Sequence, residues 1–190
     1  MLRTAGLILC AIVAVEFAMS PRTFHRMRES PPENTPHSPA IYFAPQQDLS
    51  VVDQQIIRSA KRSLEIAMYS FTDRRLAEEL VDACNRGVVV KLYRDRSQYQ
   101  EEAARGSAVP AILNRCSDIH VRVKGSNELM HEKTYVADDL VLREGSANWS
   151  VSAARYQDNQ LSITHDTAAI EAFKDDFAGM WQRGDNSMIQ

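Results

Sequence analysis

His131 and Lys133 stand two residues apart in the stretch HEKTYVADD, and Asp138 follows the lysine by five. On an extended strand side chains alternate, so His131, Lys133, Tyr135 and Ala137 point one way while Glu132, Thr134, Val136 and Asp138 point the other. An imidazole and a fixed ammonium on one face suit a phosphate group. The cation holds the anionic oxygens, and the imidazole attacks phosphorus or transfers a proton. Taken alone, the same two residues equally describe a half-exposed strand with ordinary polar side chains.

The next strand supplies the rest of a composite site. REGSANWS places Gly145, Ser146, Asn148 and Ser150 just after it, and a hairpin turn at Asp138-Asp139 returns them beside His131 and Lys133. Ser146 and Asn148 offer small hydrogen-bonding side chains on one face, and Gly145 allows close backbone approach to an anion.

His131-x-Lys133, four residues, Asp138 and then GSANWS resembles the phospholipase D superfamily signature H-x-K-x4-D followed by G-S/G-x-N. The likeness extends through EIAMYSFTDRRLAEELVDACNRGVVVKL to the closing aromatic helix, over roughly Ile41 to Arg183. The signature occurs once, so the chain resembles the short members, the bacterial endonucleases and the mitochondrial-surface relatives. The resemblance implies a metal-free mechanism without a cofactor, in which one histidine attacks phosphorus and another protonates the leaving oxygen. It makes His131 the nucleophile or general acid, Lys133 and Asn148 the clamps on phosphate oxygens, and Ser146 their support. Asp138 belongs to the signature, but strand alternation turns it away from His131 and gives it a structural role.

One position departs from the pattern. The family commonly places a glutamate downstream of G-S-x-N to hydrogen-bond the histidine, and by direct count that position is Asn159, with Asp158 adjacent. Either a one-residue bulge re-aims Asp158, or Asn159 orients the imidazole without charge.

The expected substrates are nucleic acid, with phospholipid as the alternative and a non-catalytic anion-binding scaffold as a third reading. Arg94, Arg96, Arg122 and Lys124 lie at strand ends flanking the site and are candidate backbone contacts, although solvated surface charge describes each equally well. Because the mechanism needs two histidines and the body offers His131 only once, a twofold homodimer with a composite site is expected. Neither His120 nor His165 has a lysine at the same spacing.

The elements that must position these residues follow from periodicity. IYFAP, LEIAMYSF, VVVKLYRD, IHVRV, KTYVA, LVLREG and QLSIT read as strands. DLSVVDQQIIRSAKRS places Val52, Ile56 and Ala60 on one helical face with Ser50 as a cap. In TDRRLAEELVDACNRG, Leu76, Leu80 and Cys84 stack before Gly87. YQEEAARGSAVPAILNRC, interrupted by Gly106 and Pro110, predicts a loop and then a short helix. Ile170, Phe173, Phe177, Met180 and Trp181 form the core stripe of a closing helix. The order predicts an α/β fold, an α-β-α sandwich with a mixed sheet covered on both faces.

The chain has 190 residues, a net charge of −3 and 25% charged residues, which suits one folded domain over 41–190 with no global positive field. Any polyanion site is therefore local. Arg3 precedes an apolar run from Ala5 to Met19, broken by Glu16. Fifteen helical residues span roughly 23 Å, short of a hydrocarbon core of roughly 30 Å. Residues 1–20 therefore read as a signal peptide or N-terminal membrane anchor. Residues 21–40, with five of the seven prolines, read as a linker, and the domain is expected in the cell envelope, anchored or exported. Cys84 and Cys116 fall in helix-like contexts where buried packing is expected, a bridge between them being the alternative in an exported domain.

Overall fold

Aspartates start four of the six helices among the described residues. Asp48, Asp73, Asp95 and Asp166 each sit at an N-cap in extended conformation, with a carboxylate accepting a backbone N–H of the first turn. The cap expected at Ser50 is therefore Asp48, and Ser50 is buried inside the helix it was expected to start. The computed structural model of the chain describes residues 38–189. The targeting segment and nearly all of the expected linker lie outside the described residues.

The elements in chain order are β1 (Ala40–Ala44), α1 (Leu49–Ser59), β2 (Ser63–Met68), α2 (Arg74–Asn85), β3 (Val89–Arg94), α3 (Arg96–Ala104), α4 (Val109–Leu113) and β4 (Ile119–Val123). They continue with β5 (Lys133–Ala137), β6 (Val141–Gly145), α5 (Val151–Arg155), β7 (Asn159–Thr164), α6 (Thr167–Trp181) and β8 (Ser187–Met188). The strands form one sheet in the order β1-β7-β6-β5-β2-β3-β4-β8. β2, β3 and β4 are parallel, and every other pairing is antiparallel, so the sheet is mixed.

Side-chain alternation splits the core in two. Leu64, Ile66 and Met68 of β2, with Tyr135 and Ala137 of β5, pack under α1, α2 and α4. Ala67, Tyr93, Val136 and Leu142 face the other way and meet Ile170, Phe173, Phe177 and Met180 of α6. The α-β-α sandwich is therefore present, with the predicted aromatic stripe as the inner face of α6.

Two local expectations are corrected. The segment expected as a loop forms the nine-residue helix α3, because Asp95 caps it through Gln98 N at 3.0 Å and Ser97 Oγ at 2.6 Å, and Gly106 with φ +74 ends it. Cys84 and Cys116, expected as packed thiols, are joined as a disulfide that ties the end of α2 to the segment after α4.

The register brings the site together. Met68 of β2 pairs with Lys133 on one side and Arg94 on the other, so the C-terminal ends of β2, β3 and β4 meet the start of β5. Open α/β sheets bind ligands at such strand ends. The hairpin between β5 and β6 turns at Asp138 and Asp139, both with positive φ (56° and 61°), a region that aspartate tolerates better than most residues.

Candidate active site

His131 precedes β5 and is exposed, whereas Lys133 begins the strand and is 6% exposed. The Lys133 ammonium donates to the His131 carbonyl oxygen at 2.5 Å, which fixes the loop bearing the imidazole to the strand bearing the cation. Burial lowers the Lys133 pKa, and the neighbouring Arg143 charge lowers it further. The cation forms the floor of the site and the imidazole its open side.

Asn148 lies in the segment between β6 and α5. The Ser70 N–H points at its Oδ1 at 3.4 Å, and this assignment turns the two Nδ2–H donors away from Ser70. The segment is held by the main chain of residues 70–73. Trp149 N donates to Ser70 O at 3.1 Å, and Thr72 N and Asp73 N both donate to Trp149 O.

A buried ion pair beneath these residues sets their spacing. Arg143 of β6 is fully buried and binds Asp53 of α1 through Nε–Oδ1 at 2.9 Å and Nη2–Oδ2 at 3.1 Å. The same guanidinium donates to the carbonyls of Lys133 at 2.5 Å and Ala147 at 3.2 Å, and Tyr135 OH donates to Asp53 at 3.0 Å. One planar cation thus connects the lysine strand to the asparagine loop.

A second buried hub shapes the wall. Glu102 accepts from Ser70 Oγ at 3.0 Å, Phe71 N at 2.8 Å and Arg94 Nη2 at 2.7 Å, while Arg94 Nε donates to Met68 O at 2.9 Å. This arrangement fixes residues 68–71, which carry Tyr69. The Tyr69 ring meets the His131 ring edge-on with centroids 4.5 Å apart, and it lies 4.8 Å from Lys133 Nζ.

The other sequence candidates occupy different surroundings. Asp138 sits at the far end of β5, where its carboxylate accepts Lys61 N and Arg62 N at 2.7 Å and Ser63 N at 3.0 Å. Burial alone would raise its pKa, but these three N–H groups outweigh that and hold it below the ordinary value. Its named catalytic position is thus a brace on the α1–β2 connection, remote from the imidazole. Ser146 accepts Gln160 N at 3.0 Å and donates to Asn159 Oδ1 at 2.8 Å, so its hydroxyl joins β7. A Cβ on Gly145 would lie 2.3 Å from Gln160 O. The glycine therefore admits the neighbouring strand, not an anion as expected.

Arg94 is corrected as a substrate contact: it is 2% exposed and committed to Glu102 and Met68. Arg96 donates to Gly125 O, Lys124 to Leu129 O at 3.4 Å, and Arg122 to Trp181 O while lying over the Trp181 ring. Asn159 opens β7 opposite Ala44 of β1, and Asp158 lies just before the strand. The Asn159 amide donates to Ala153 O at 3.0 Å, and Asp158 is exposed in a cavity it shares with Phe43, Gln47 and Ser146. Neither is paired with the imidazole, whose ring neighbour among the described residues is Tyr69.

Tyr69, Glu102, Asp53 and Arg143 were missed by sequence reasoning. Tyr69 and Arg143 lie in segments read as strands, and no local spacing marks either as part of a site. Glu102 fell in a stretch read as loop. Glu132, beside His131 in sequence, faces α6. Burial first, and then the adjacent Asp176 carboxylate, push its pKa up to about 7. No group of three or more His, Cys, Asp or Glu side chains arranged to hold a metal occurs among the described residues.

Comparison with known proteins finds relatives by sequence and by fold. Residues 54–181 match the family described as "Cardiolipin synthase, PLD-like domain". The chain is 32% identical to a mitochondrial cardiolipin hydrolase of Xenopus tropicalis over 130 residues, covering 68% of this chain and 60% of that protein. With the Homo sapiens protein of the same name the identity is 29% over 125 residues, covering 66% and 48%. Among solved structures, the phospholipase D family member Nuc from Salmonella typhimurium superposes with a TM-score of 0.71 at 25% identity, covering 80% of this chain and 98% of that one. NucT from Helicobacter pylori gives a TM-score of 0.69 at 25% identity, covering 80% and 99%. A family match over residues 54–181, with a fold shared with both bacterial structures, has one reading: this chain belongs to the phospholipase D-like family.

Proposed function

We propose that the chain is a metal-independent phosphodiesterase working through a phosphohistidine, with nucleic acid as its substrate. The observation that carries this reading is the exposed His131 imidazole beside the buried Lys133 ammonium and the oriented Asn148 amide. A phosphodiester bound there would place its non-bridging oxygens on Lys133 Nζ and Asn148 Nδ2. An imidazole nitrogen of His131 attacks phosphorus, the P–O bond to one alcohol breaks, and a second imidazolium protonates that alkoxide. Water then attacks the phosphohistidine, loses its proton to the second imidazole and releases a phosphomonoester. The Lys133 ammonium and the Asn148 amide stabilise the charge that develops on phosphorus oxygens.

The second imidazole is assigned to His131 of another copy. His165 is held by Leu140 O at 2.8 Å, at the hairpin end of β5 opposite the site. His120 pairs with Lys91 at the start of β4, away from the strand ends that build the site. A twofold homodimer supplies the missing group by symmetry.

Phospholipid hydrolysis is the second reading, favoured by the name of the relatives, mitochondrial cardiolipin hydrolase. The chain covers 60% of the Xenopus tropicalis protein's length, so that activity does not transfer by alignment alone. The Cys84–Cys116 disulfide supports an oxidising compartment, consistent with a domain exported or anchored in the cell envelope.

The decisive assay compares the full chain on single-stranded DNA, RNA, duplex DNA and phospholipid vesicles, in EDTA. Salt-sensitive cleavage of nucleic acid supports the first reading through counterion release, and turnover only on lipid surfaces supports the second. Full activity in His131→Ala would sink both. Mixing that variant with wild type should lower activity faster than the wild-type fraction, and a fully active monomer in light scattering would overturn the composite site.

A further inference from the structure

A cavity of about 510 Å³ opens directly beside the Asn148 clamp, and nothing in the reaction above uses it. Ser70 belongs to its wall, and the Ser70 N–H lies 3.4 Å from Asn148 Oδ1, so the two compartments share a partition one residue thick. A group attached to a phosphate on Asn148 would have this cavity as its neighbour.

The charge of the lining is informative. The Glu102 carboxylate reaches the cavity but is balanced by Arg94 at 2.7 Å and filled by Ser70 and Phe71, so it does not repel an anion as a bare carboxylate would. Asp73, next to the rim, is likewise paired with Arg75 at 3.1 Å. The remaining charged groups are Arg74, Arg105 and Glu101. Arg74 is exposed and makes no ion pair among the described residues. Arg105 bonds Glu101 in an i,i+4 pair with side chains 77% and 46% exposed. Such an exposed pair is weak and yields readily to a stronger partner. Thr72 and Gln98 add neutral hydrogen-bonding groups between the arginines.

We propose that this cavity receives the phosphate one nucleotide away from the scissile one, with Arg74 and Arg105 as its ligands. The assignment rests on the phosphodiesterase reading and specifies its substrate: a polynucleotide strand in preference to an isolated diester. Two arginines over a polar wall fit a phosphate flanked by a sugar. The site thereby selects for a chain of phosphates without reading base identity.

The test is calorimetric titration of the full chain in EDTA with thymidine 3′,5′-bisphosphate, with each thymidine monophosphate, and with glycerol 1,3-bisphosphate. None contains a diester, so binding is read without turnover. The thymidine bisphosphate should bind about tenfold more tightly than either monophosphate, a preference consistent with one added charge-assisted contact. Arg74→Gln with Arg105→Gln should remove that preference while leaving monophosphate affinity and the thermal melt unchanged, since both side chains are exposed. Equal affinities, or a preference surviving both substitutions, would overturn the assignment. Tighter binding of glycerol bisphosphate with the same arginine dependence would overturn the nucleotide and point to a lipid headgroup. Hydrolysis of bis(p-nitrophenyl) phosphate by the wild type is scored separately: its absence counts against the phosphodiesterase reading, whereas the titration alone decides the second-phosphate site.

Discussion

The Tyr69 ring stands edge-on to the His131 imidazole, with centroids 4.5 Å apart. The position where the family commonly has a carboxylate for this histidine is Asn159, which is instead engaged with Ser146 and Ala153. Among the described residues Tyr69 is therefore the ring that packs against the imidazole, and its own placement descends from Glu102 and Arg94 through residues 68–71.

Tyr69→Leu should lower kcat about tenfold with little change in KM, because an edge-on aromatic pair is worth about 0.5–1.5 kcal/mol. Tyr69→Phe keeps the ring and should stay near wild type. Steady-state kinetics on bis(p-nitrophenyl) phosphate distinguishes the two, and equal losses in both variants would show that the phenol hydroxyl matters instead.

Asp53→Asn should cost about 3–5 kcal/mol, since it strands the buried Arg143 guanidinium. The loss should appear as a lower urea midpoint. Because Arg143 also holds the Lys133 and Ala147 carbonyls, turnover should fall in the fraction that remains folded. A midpoint within error of wild type would mean that the pair contributes nothing net.

Stability should fall as pH rises through neutrality on account of Glu132. Its pKa in the fold is about 7, against an ordinary 4.5, so the native state binds the proton more tightly than the unfolded chain. The contribution is complete below the unfolded value and is lost as pH rises through the folded one. Thermal melts between about pH 5 and pH 8 should show this decline, and Glu132→Gln should flatten it. Parallel curves for the two proteins would rule the residue out.

Reduction of the Cys84–Cys116 bridge, which closes a sequence separation of 32, should cost about 3–4 kcal/mol from regained chain entropy. Cys84→Ala should match the reduced wild type and be insensitive to reductant. An unchanged denaturation midpoint on reduction would show the bond to be absent in solution.

The sequence by itself determined seven of the eight strands, the face that α6 buries, the turn at Asp138-Asp139 and the spacing of the signature residues His131, Lys133 and Asn148. Each is a local matter: alternation, helical spacing and turn chemistry act between residues close in the chain, and the signature spacing survives any packing. It also turned Asp138 away from His131 by strand alternation, whereas the structure separates the two by the length of β5. The structure alone decided which polar groups would be buried together. Arg143 and Asp53 are 90 residues apart, and Glu102 reaches Phe71 across 31, so no window along the chain contains both partners. Arg94 looked like a free surface cation because its identity carries no sign of burial, and only the closure of Glu102 over it removed it from solvent. The imidazole, the ammonium and the amide were legible as types. Their alignment depends on buried charges whose desolvation is offset only when distant strands and helices meet.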